Sequence, residues 1–284
     1  MRTTVILTIA ILCGVSAVSS GPHAAAIHAE LTAEELVAKN TEAKGGLAKI
    51  KAIKSLRMTG RFRQGDFSAA VGAEAKAPNL LRQTFTVQTM TQVQAYDGSV
   101  GWQISPFQGR KDPELLGEDD MRDLTEDADF YGPLVDAKEK GNTIEYLGHT
   151  TVDGDDAYRL KVTLKNGDII YYYLDPDTYL EIRTEKQQIV RGAVRESVTN
   201  LGSYKQVNGV YFPFAIESGQ KRNPNSFSKI TYEKIEANVP VDDSLFKMPA
   251  APATPSAQKH EEPPATEKKK APTKPPAPAK PPQS

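Results

Sequence analysis

Apolar and polar residues alternate through most of the middle of the chain, with the period of two that is typical of β-strands with one wet face. Residues 56–63 show this most clearly, with Leu56, Met58 and Phe62 set between arginine and threonine. Similar strands are predicted at 81–87, 92–96, 100–104, 158–164, 168–174, 179–188, 194–201, 203–207, 210–214 and 226–236. Most are joined by short Asp-Gly or Asn-Gly turns, so the pattern predicts a mainly β fold with an antiparallel sheet of about ten strands.

Helical patterns occur in two places. Thr32 and Glu35 are spaced as a capping box, which predicts a helix to about Lys44 and a second short helical turn over 47–53. Residues 113–137 are acidic and helical, and they are interrupted by glycine and proline, which indicates two short helices with a hinge. This insertion either covers a face of the sheet as a lid or simply seals the core. Its candidate lid residues are Leu115, Leu116, Met121 and Leu124.

The two ends of the chain differ from the middle. Residues 1–29 combine one arginine, a short apolar run and small residues, which is typical of a cleaved secretory signal peptide and predicts a periplasmic protein. Residues 250–284 contain ten of the 20 prolines and six lysines against three glutamates, which predicts a disordered tail. The tail is interpreted either as a solvated spacer or as a tether to an anionic membrane or cell-wall polymer. One domain is expected over residues 30–249.

The residues that usually carry chemistry are scarce in that domain. His149 is its one histidine, and Cys13, the chain's one cysteine, lies in the predicted signal peptide. A His-based zinc cluster, a Cys–His pair and a nucleophile elbow are therefore excluded there, and no catalytic residue, metal or cofactor is predicted. The domain has 28 basic against 33 acidic residues, which does not favour nucleic acid. A pair of carboxylates brought together by two strands is left open, and with it a hydrolase.

Large aromatic and aliphatic side chains are the remaining candidates for a site. They either fill an ordinary core or line an apolar cavity inside a curved sheet. The candidate cavity wall consists of Met58, Phe62, Phe85, Trp102, Tyr171, Tyr172, Phe212 and Phe214.

Several segments resemble the LolA-like family of outer-membrane lipoprotein-sorting proteins. Residues 96–102 (YDGSVGW) resemble the family's aspartate-glycine hairpin with its tryptophan, and residues 170–175, 207–213 and 241–246 resemble later elements. The resemblance covers roughly residues 45–249. It implies an open, strongly curved half-barrel whose concave side holds the acyl chains of lipoproteins or other apolar ligands under a helical lid. In the carriers an arginine contacts the lid. No residue matches it by motif, and the candidates by location are Arg61, Arg63 and Arg82.

Together, the pattern and the resemblance predict a periplasmic binding or carrier protein for lipoprotein acyl chains or another lipid. Envelope proteins or the membrane surface would be further partners through the tail. The alternatives are an envelope sensor or protein-interaction module on the same fold, and a hydrolase with an unmarked carboxylate pair.

Overall fold

The computed structural model describes residues 31–250, in which thirteen strands pair into one open antiparallel sheet that carries a few short helices. The predicted fold class, a curved half-barrel with helices, is confirmed. The predicted signal peptide and nearly all of the predicted tail lie outside the described residues.

The helices are α1 Ala33–Ala43, α2 Leu47–Ala52, α3 Glu118–Asp127 and α4 Ala137–Lys140. The strands are β1 Ser55–Gln64, β2 Phe67–Lys76, β3 Leu80–Val87, β4 Met90–Tyr96, β5 Gly101–Ser105, β6 Arg110–Leu115, β7 Thr143–Val152, β8 Asp155–Thr163, β9 Ile169–Leu174, β10 Glu181–Val190, β11 Ala193–Val207, β12 Val210–Gln220 and β13 Ser228–Ala237.

The sheet is built from two meanders that meet at its centre. Its strand order is β6-β5-β4-β3-β2-β1-β13-β12-β11-β10-β9-β8-β7, so β1 and β13 pair although they lie at opposite ends of the domain. β6 and β7 are the two edges. The chain between them, which includes α3 and α4, therefore has to pass from one side of the sheet to the other.

The predicted strands are confirmed, with three additions and one merger. Residues 194–201 and 203–207 form one continuous strand, β11. The pattern did not reveal β2, β6 and β7. In β2 the inward positions are mostly alanine, so the contrast between its two faces is weak. β6 contains Pro113 and charged residues, which are typical of an edge strand.

The segment 113–137 is only partly helical. Its first residues, through Leu115, belong to the edge strand β6, and helices occupy Glu118–Asp127 and Ala137–Lys140. The prediction of two helices beginning at Pro113 is therefore wrong at its start. An edge strand tolerates proline because the backbone N–H groups along its free edge have no partner strand, whereas a helix interior does not tolerate it.

The N-terminal helix begins as predicted. Thr32 and Glu35 form the reciprocal capping box, and Leu36, which is fully buried, packs with Leu160 and Leu174 of the sheet. After α1 the backbone approaches the β11–β12 hairpin so closely that a Cβ on Gly45 would lie 2.1 Å from the carbonyl oxygen of Gly209. Gly45 also has a φ of 121°, so only glycine fits this junction.

A buried ion pair ties α1 to the second meander. Lys44 Nζ donates to Glu181 Oε1 at 3.0 Å, and the Tyr204 hydroxyl donates to the Glu181 carbonyl oxygen at 2.8 Å. Burial alone would raise the pKa of Glu181, but the charge and hydrogen bond of Lys44 hold it below its usual value. Burial and the charge of Glu181 strongly raise the pKa of Tyr204.

Replacing Lys44 with methionine should destabilise the fold by about 3 kcal/mol, because it leaves a buried carboxylate without its cation. Urea unfolding at pH 7 measures this change. The matched control is Arg61→Met at the exposed Arg61–Glu233 pair, which should change the free energy of unfolding by less than about 1 kcal/mol. Equal losses in the two variants would contradict a special role for the buried pair.

The Glu181 pair should also make stability depend on pH in the acidic range. The pKa of Glu181 is lower in the folded than in the unfolded chain, so its contribution is present above the unfolded value of 4.5 and is lost as pH falls through the folded value. Urea unfolding of the natural chain and of Glu181→Gln between pH 7 and pH 3 tests this. The difference in stability between the two proteins should shrink as pH falls; a constant difference would contradict the assignment.

Candidate functional site

The two faces of the sheet have separate roles. The inner face carries the helices, and the outer face is crossed near β1–β5 by the segment after β13. Strand register places six of the eight predicted wall residues on the inner face. They are Met58, Phe62, Phe85, Tyr172, Phe212 and Phe214.

These six residues do not form one continuous wall. Met58, Phe212 and Phe214 pack in the main hydrophobic core beneath α2 and α3, with Phe214 6% exposed. Tyr172 packs with Leu160 in a second core cluster and also borders a polar cavity. The ordinary core interpretation of these four residues is therefore supported by their contacts.

Trp102 and Tyr171 lie on the outer face, so their prediction as neighbours of Phe85 in one wall is wrong. Trp102 is 3% exposed, packs with Val93 and Ala95, and donates from Nε1 to the carbonyl oxygen of Phe246 at 2.7 Å. The Tyr171 ring lies against the Arg159 guanidinium, at 4.3 Å. Successive residues of a strand point to opposite faces of the sheet, and Trp102 in β5 and Tyr171 in β9 occupy positions that point outward.

An open apolar groove occupies the inner face at the far end of the first meander. We call it the phenylalanine groove, and its volume is about 400 Å3. Its apolar lining is Phe62, Val71, Ala73, Phe85, Ile230 and Tyr232, and its polar lining is Gln83, Thr84, Gln92 and Gln94. Phe85 is the centre of an aromatic cluster, with ring centroids 5.2 Å from Phe62, 6.2 Å from Phe67 and 6.3 Å from Phe107. Phe67 and Phe107 are 46% and 40% exposed, so the cluster is open to solvent.

A second, polar cavity of about 750 Å3 lies between α3 and the inner face of β9–β11. We call it the charged cavity. Its sheet side presents Thr184, Lys186, Gln188, Arg195, Ser197 and Thr199, and its helix side presents Asp123, Glu126, Asp127 and Asp129. Hydroxyl, amide and charged groups therefore surround a space that lies over the same inner face as the phenylalanine groove.

One side of α3 is attached to the first meander by apolar contacts. Leu116, Met121 and Leu124 pack into the main core, and Leu124 is 3% exposed. β5 meets this side at Gly101, where an added Cβ would lie 2.5 Å from the Met121 sulfur. Met121 and Leu124 therefore form the apolar side of α3, and Leu116, just before the helix, extends the same contact.

The opposite side of α3 is attached to the second meander by charged groups. Arg122 forms a two-nitrogen salt bridge with Asp168, whose side chain is 2% exposed, and its Nη1 donates to the Ile189 carbonyl oxygen at 3.2 Å. Lys186 Nζ lies 2.6 Å from Glu126 Oε2 and 3.1 Å from Asp123 Oδ1. We call this set of ion pairs the clasp.

The clasp shifts the pKa values of its members in different directions. Burial raises the pKa of Glu126, and its contact with Asp168 adds to the effect, while Lys186 opposes it. For Asp123, hydrogen bonds from Gln188 and Lys186 outweigh burial and lower the pKa. Burial would lower the pKa of Lys186, but Glu126 and Asp123 together raise it.

The structure places one candidate lid residue and the three candidate arginines away from the positions predicted for them. Leu115 lies in β6 on the outer face and is 64% exposed, so it is not a lid residue. Arg61, Arg63 and Arg82 also occupy outward positions; Arg61 pairs with Glu233 and Arg82 with Glu74. The arginine that joins α3 to the sheet is Arg122, which lies on the helix.

Sequence reasoning missed the clasp because its partners are distant along the chain. Asp168 is predicted only as the first residue of the strand 168–174 after the Asn166-Gly167 turn, and Arg122 is one charge in the acidic helical segment 113–137. The one available signal was an arginine in a segment of otherwise acidic charge. Its partner could not be identified without the strand register.

Within residues 31–250, the His, Cys, Asp and Glu side chains form no group of three or more that could hold a metal ion. In the same range, no helix has the length and apolarity needed to cross a membrane.

The fold is that of LolA superfamily proteins. The chain superimposes on a LolA superfamily protein from Nitrosomonas europaea with a TM-score of 0.53 and 14% identity, covering 77% of this chain and 98% of that one. A DUF1329 family protein from Desulfovibrio piger gives 0.54 and 13%, covering 76% and 97%. A protein domain from Vibrio parahaemolyticus named for outer membrane lipoprotein sorting gives 0.52 and 13%, covering 75% and 97%. No family model and no curated protein matches the sequence.

Removing the Arg122 side chain should loosen the attachment of α3 to the sheet. In Arg122→Ala the buried Asp168 carboxylate has lost its cation, so amide exchange over α3 should become at least about tenfold faster. Hydrogen–deuterium exchange with peptide resolution measures this change. The matched control is Arg191→Ala, because Arg191 also pairs with α3, through Asp119, but is 86% exposed. Equal acceleration in both variants would contradict the clasp.

Proposed function

We propose that this protein is an exported, periplasmic binding or carrier protein that holds the acyl chain of a lipoprotein or another lipid in the phenylalanine groove. It acts by reversible burial of the chain and not by catalysis. The proposal places a signal peptide at residues 1–29, the binding domain at 30–249, and a Pro/Ala/Lys-rich tail after it.

The observation that carries this proposal is the solvent-open aromatic cluster on the inner face. Core residues normally fill their space, yet Phe67 and Phe107 remain about half exposed beside Phe85 and a groove of about 400 Å3. Contiguous exposed apolar surface usually marks a binding site. The volume also lies within the range of small-molecule pockets, which is about 300–1,000 Å3.

The energy available from such a groove suits a reversible carrier. At ~25 cal/mol per Å2, an acyl chain that buries about 300 Å2 gains on the order of 7 kcal/mol before ordering costs. After those costs the complex would be held at a strength that still permits release.

The comparisons support the proposal at the level of fold. One structural neighbour is named as a LolA superfamily protein, and another is named for outer membrane lipoprotein sorting. A periplasmic location agrees with the predicted signal peptide. The proposed partners are lipoprotein acyl chains or other lipid, with envelope proteins or the membrane surface as further partners through the tail.

Placing a charge in the groove should abolish lipid retention. Phe107→Asp and Phe85→Asp should each weaken binding of a fluorescent fatty-acid probe at least about tenfold, because a charged group then faces the acyl chain. Phe107 is 40% exposed, so its variant keeps the fold, and circular dichroism checks this. The control is Val194→Asp, at an outer-face position that is 67% exposed. Unchanged probe binding in folded groove variants would overturn the proposed site.

A direct test is native mass spectrometry of the mature protein isolated from the periplasm of its own source, with lipid extraction of the same sample. We expect a bound lipid or acylated peptide in near-stoichiometric amount. A ligand-free mass that also fails to take up added phospholipid or acylated peptide would overturn the carrier function.

A further inference from the structure

Glutamine side chains run beside the aromatic cluster on the inner face of the sheet. Gln94 in β4 lies directly opposite Gln83 in β3 and Gln103 in β5, so three amides follow one another across three adjacent strands. Gln92, two residues before Gln94, points to the same face and lies directly opposite Phe85. We call these four glutamines the amide strip.

The amide strip and the aromatic rings border the same space. Gln83, Gln92 and Gln94 line the phenylalanine groove together with Phe62 and Phe85. Directly opposite residues on neighbouring antiparallel strands have Cβ atoms about 5 Å apart, so the Phe85 ring and the Gln92 amide can contact one ligand at once. The groove therefore offers an apolar wall and a row of amides to the same molecule.

Two of these amides have unused hydrogen-bonding capacity. Within residues 31–250 the side chains of Gln92 and Gln94 form no hydrogen bond, whereas Gln103 Nε2 donates to Glu114 Oε1 at 2.9 Å. Both side chains are partly buried in the groove wall. Each amide offers two N–H donors and one carbonyl acceptor. A ligand in the groove would therefore meet free donors that the wall has already partly removed from solvent.

The lining of the groove carries no formal charge. Among the described residues its polar members are glutamines and one threonine, and no Asp, Glu, Lys or Arg side chain lines it. A carboxylate, phosphate or ammonium buried there would lose its hydration without gaining an opposite charge. A neutral carbonyl group costs less to bury and accepts a hydrogen bond from an amide. The lining consequently favours an acyl chain whose buried end is uncharged.

We propose that Gln92 and Gln94 bind the carbonyl group at the end of the acyl chain, and that the groove selects chains joined through an uncharged ester or amide over free fatty acids. The chain lies on Phe62 and Phe85, and a glutamine N–H donates to the carbonyl oxygen of the linkage. This inference rests on the proposed function. Two sources share the chemistry: the O-acyl chains of a glycerolipid and the N-acyl chain of an acylated peptide.

The first measurement compares four probes built on one fluorescent acyl chain, with the full mature protein at pH 8. The chain ends in an ionised carboxylate, a methyl ester, an N-methylamide or a plain methyl group. We expect the ester and the amide to bind at least about tenfold more tightly than the carboxylate, which would stay in solvent at the mouth of the groove. The tighter of the ester and the amide identifies the source, and equal binding assigns both.

The variants Gln92→Leu and Gln94→Leu separate hydrogen bonding from simple apolarity. Each should weaken binding of the ester and amide probes about fivefold, because a hydrogen bond is lost, and should not weaken binding of the methyl-ended probe. The matched control is Gln206→Leu, at an exposed glutamine of β11 outside the groove, which should change neither. Circular dichroism checks the fold, and the comparison of probes in the natural chain needs no variant.

Two results would overturn this inference and leave the carrier function intact. One is binding of the carboxylate probe by the natural chain at least as tightly as the ester and the amide. The other is a change in the folded glutamine variants that is the same for the methyl-ended probe as for the ester and amide probes. If the natural chain bound none of the four probes, the proposed function would fail together with this inference.

Discussion

The structure depends on one topological constraint: the two edge strands, β6 and β7, are consecutive in sequence but lie at opposite ends of a thirteen-stranded sheet. The chain that joins them has to cross the sheet. It crosses on the inner face, where α3 packs against β5 on one side and on the other forms ion pairs with Asp168, just before β9, and with Lys186 in β10. A chain segment that crosses the sheet is therefore a consequence of strand order, and within α3 the polar backbone of this segment is satisfied by helical hydrogen bonds.

The two attachments of α3 differ in physical character. Apolar packing of Met121 and Leu124 against the first meander involves no charge that salt could screen. The clasp around Arg122 and Lys186 consists of charge pairs that salt and water screen where they are exposed. Buried pairs contribute geometric specificity more than net stability. α3 is thus held in position by packing on one side and oriented by charge on the other.

The sequence predicted the fold class and most strands, because periodicity and Asn-Gly or Asp-Gly turns are local properties. It could not decide which set of alternating residues faces inward. Trp102 and Phe85 both lie at apolar strand positions, but the first is covered by the chain around Phe246 on the outer face and the second opens into a groove. Alternation fixes which residues share a face within one strand, and only the pairing register relates one strand to the next. The Arg122–Asp168 pair joins residues 46 positions apart and has no local signal.

The division of the inner face into an apolar and a polar part follows from the same crossing. Where α3 presents leucine and methionine, the space beneath it is filled as core, and the open apolar surface is left beyond it at Phe62 and Phe85. Where α3 presents carboxylates, the facing sheet presents lysine, arginine and hydroxyl groups. Apolar packing cannot fill this space, because it would leave charged groups buried without a partner. An amphiphile matches such a surface better than a purely apolar ligand, because each part of it can be buried against groups of its own kind.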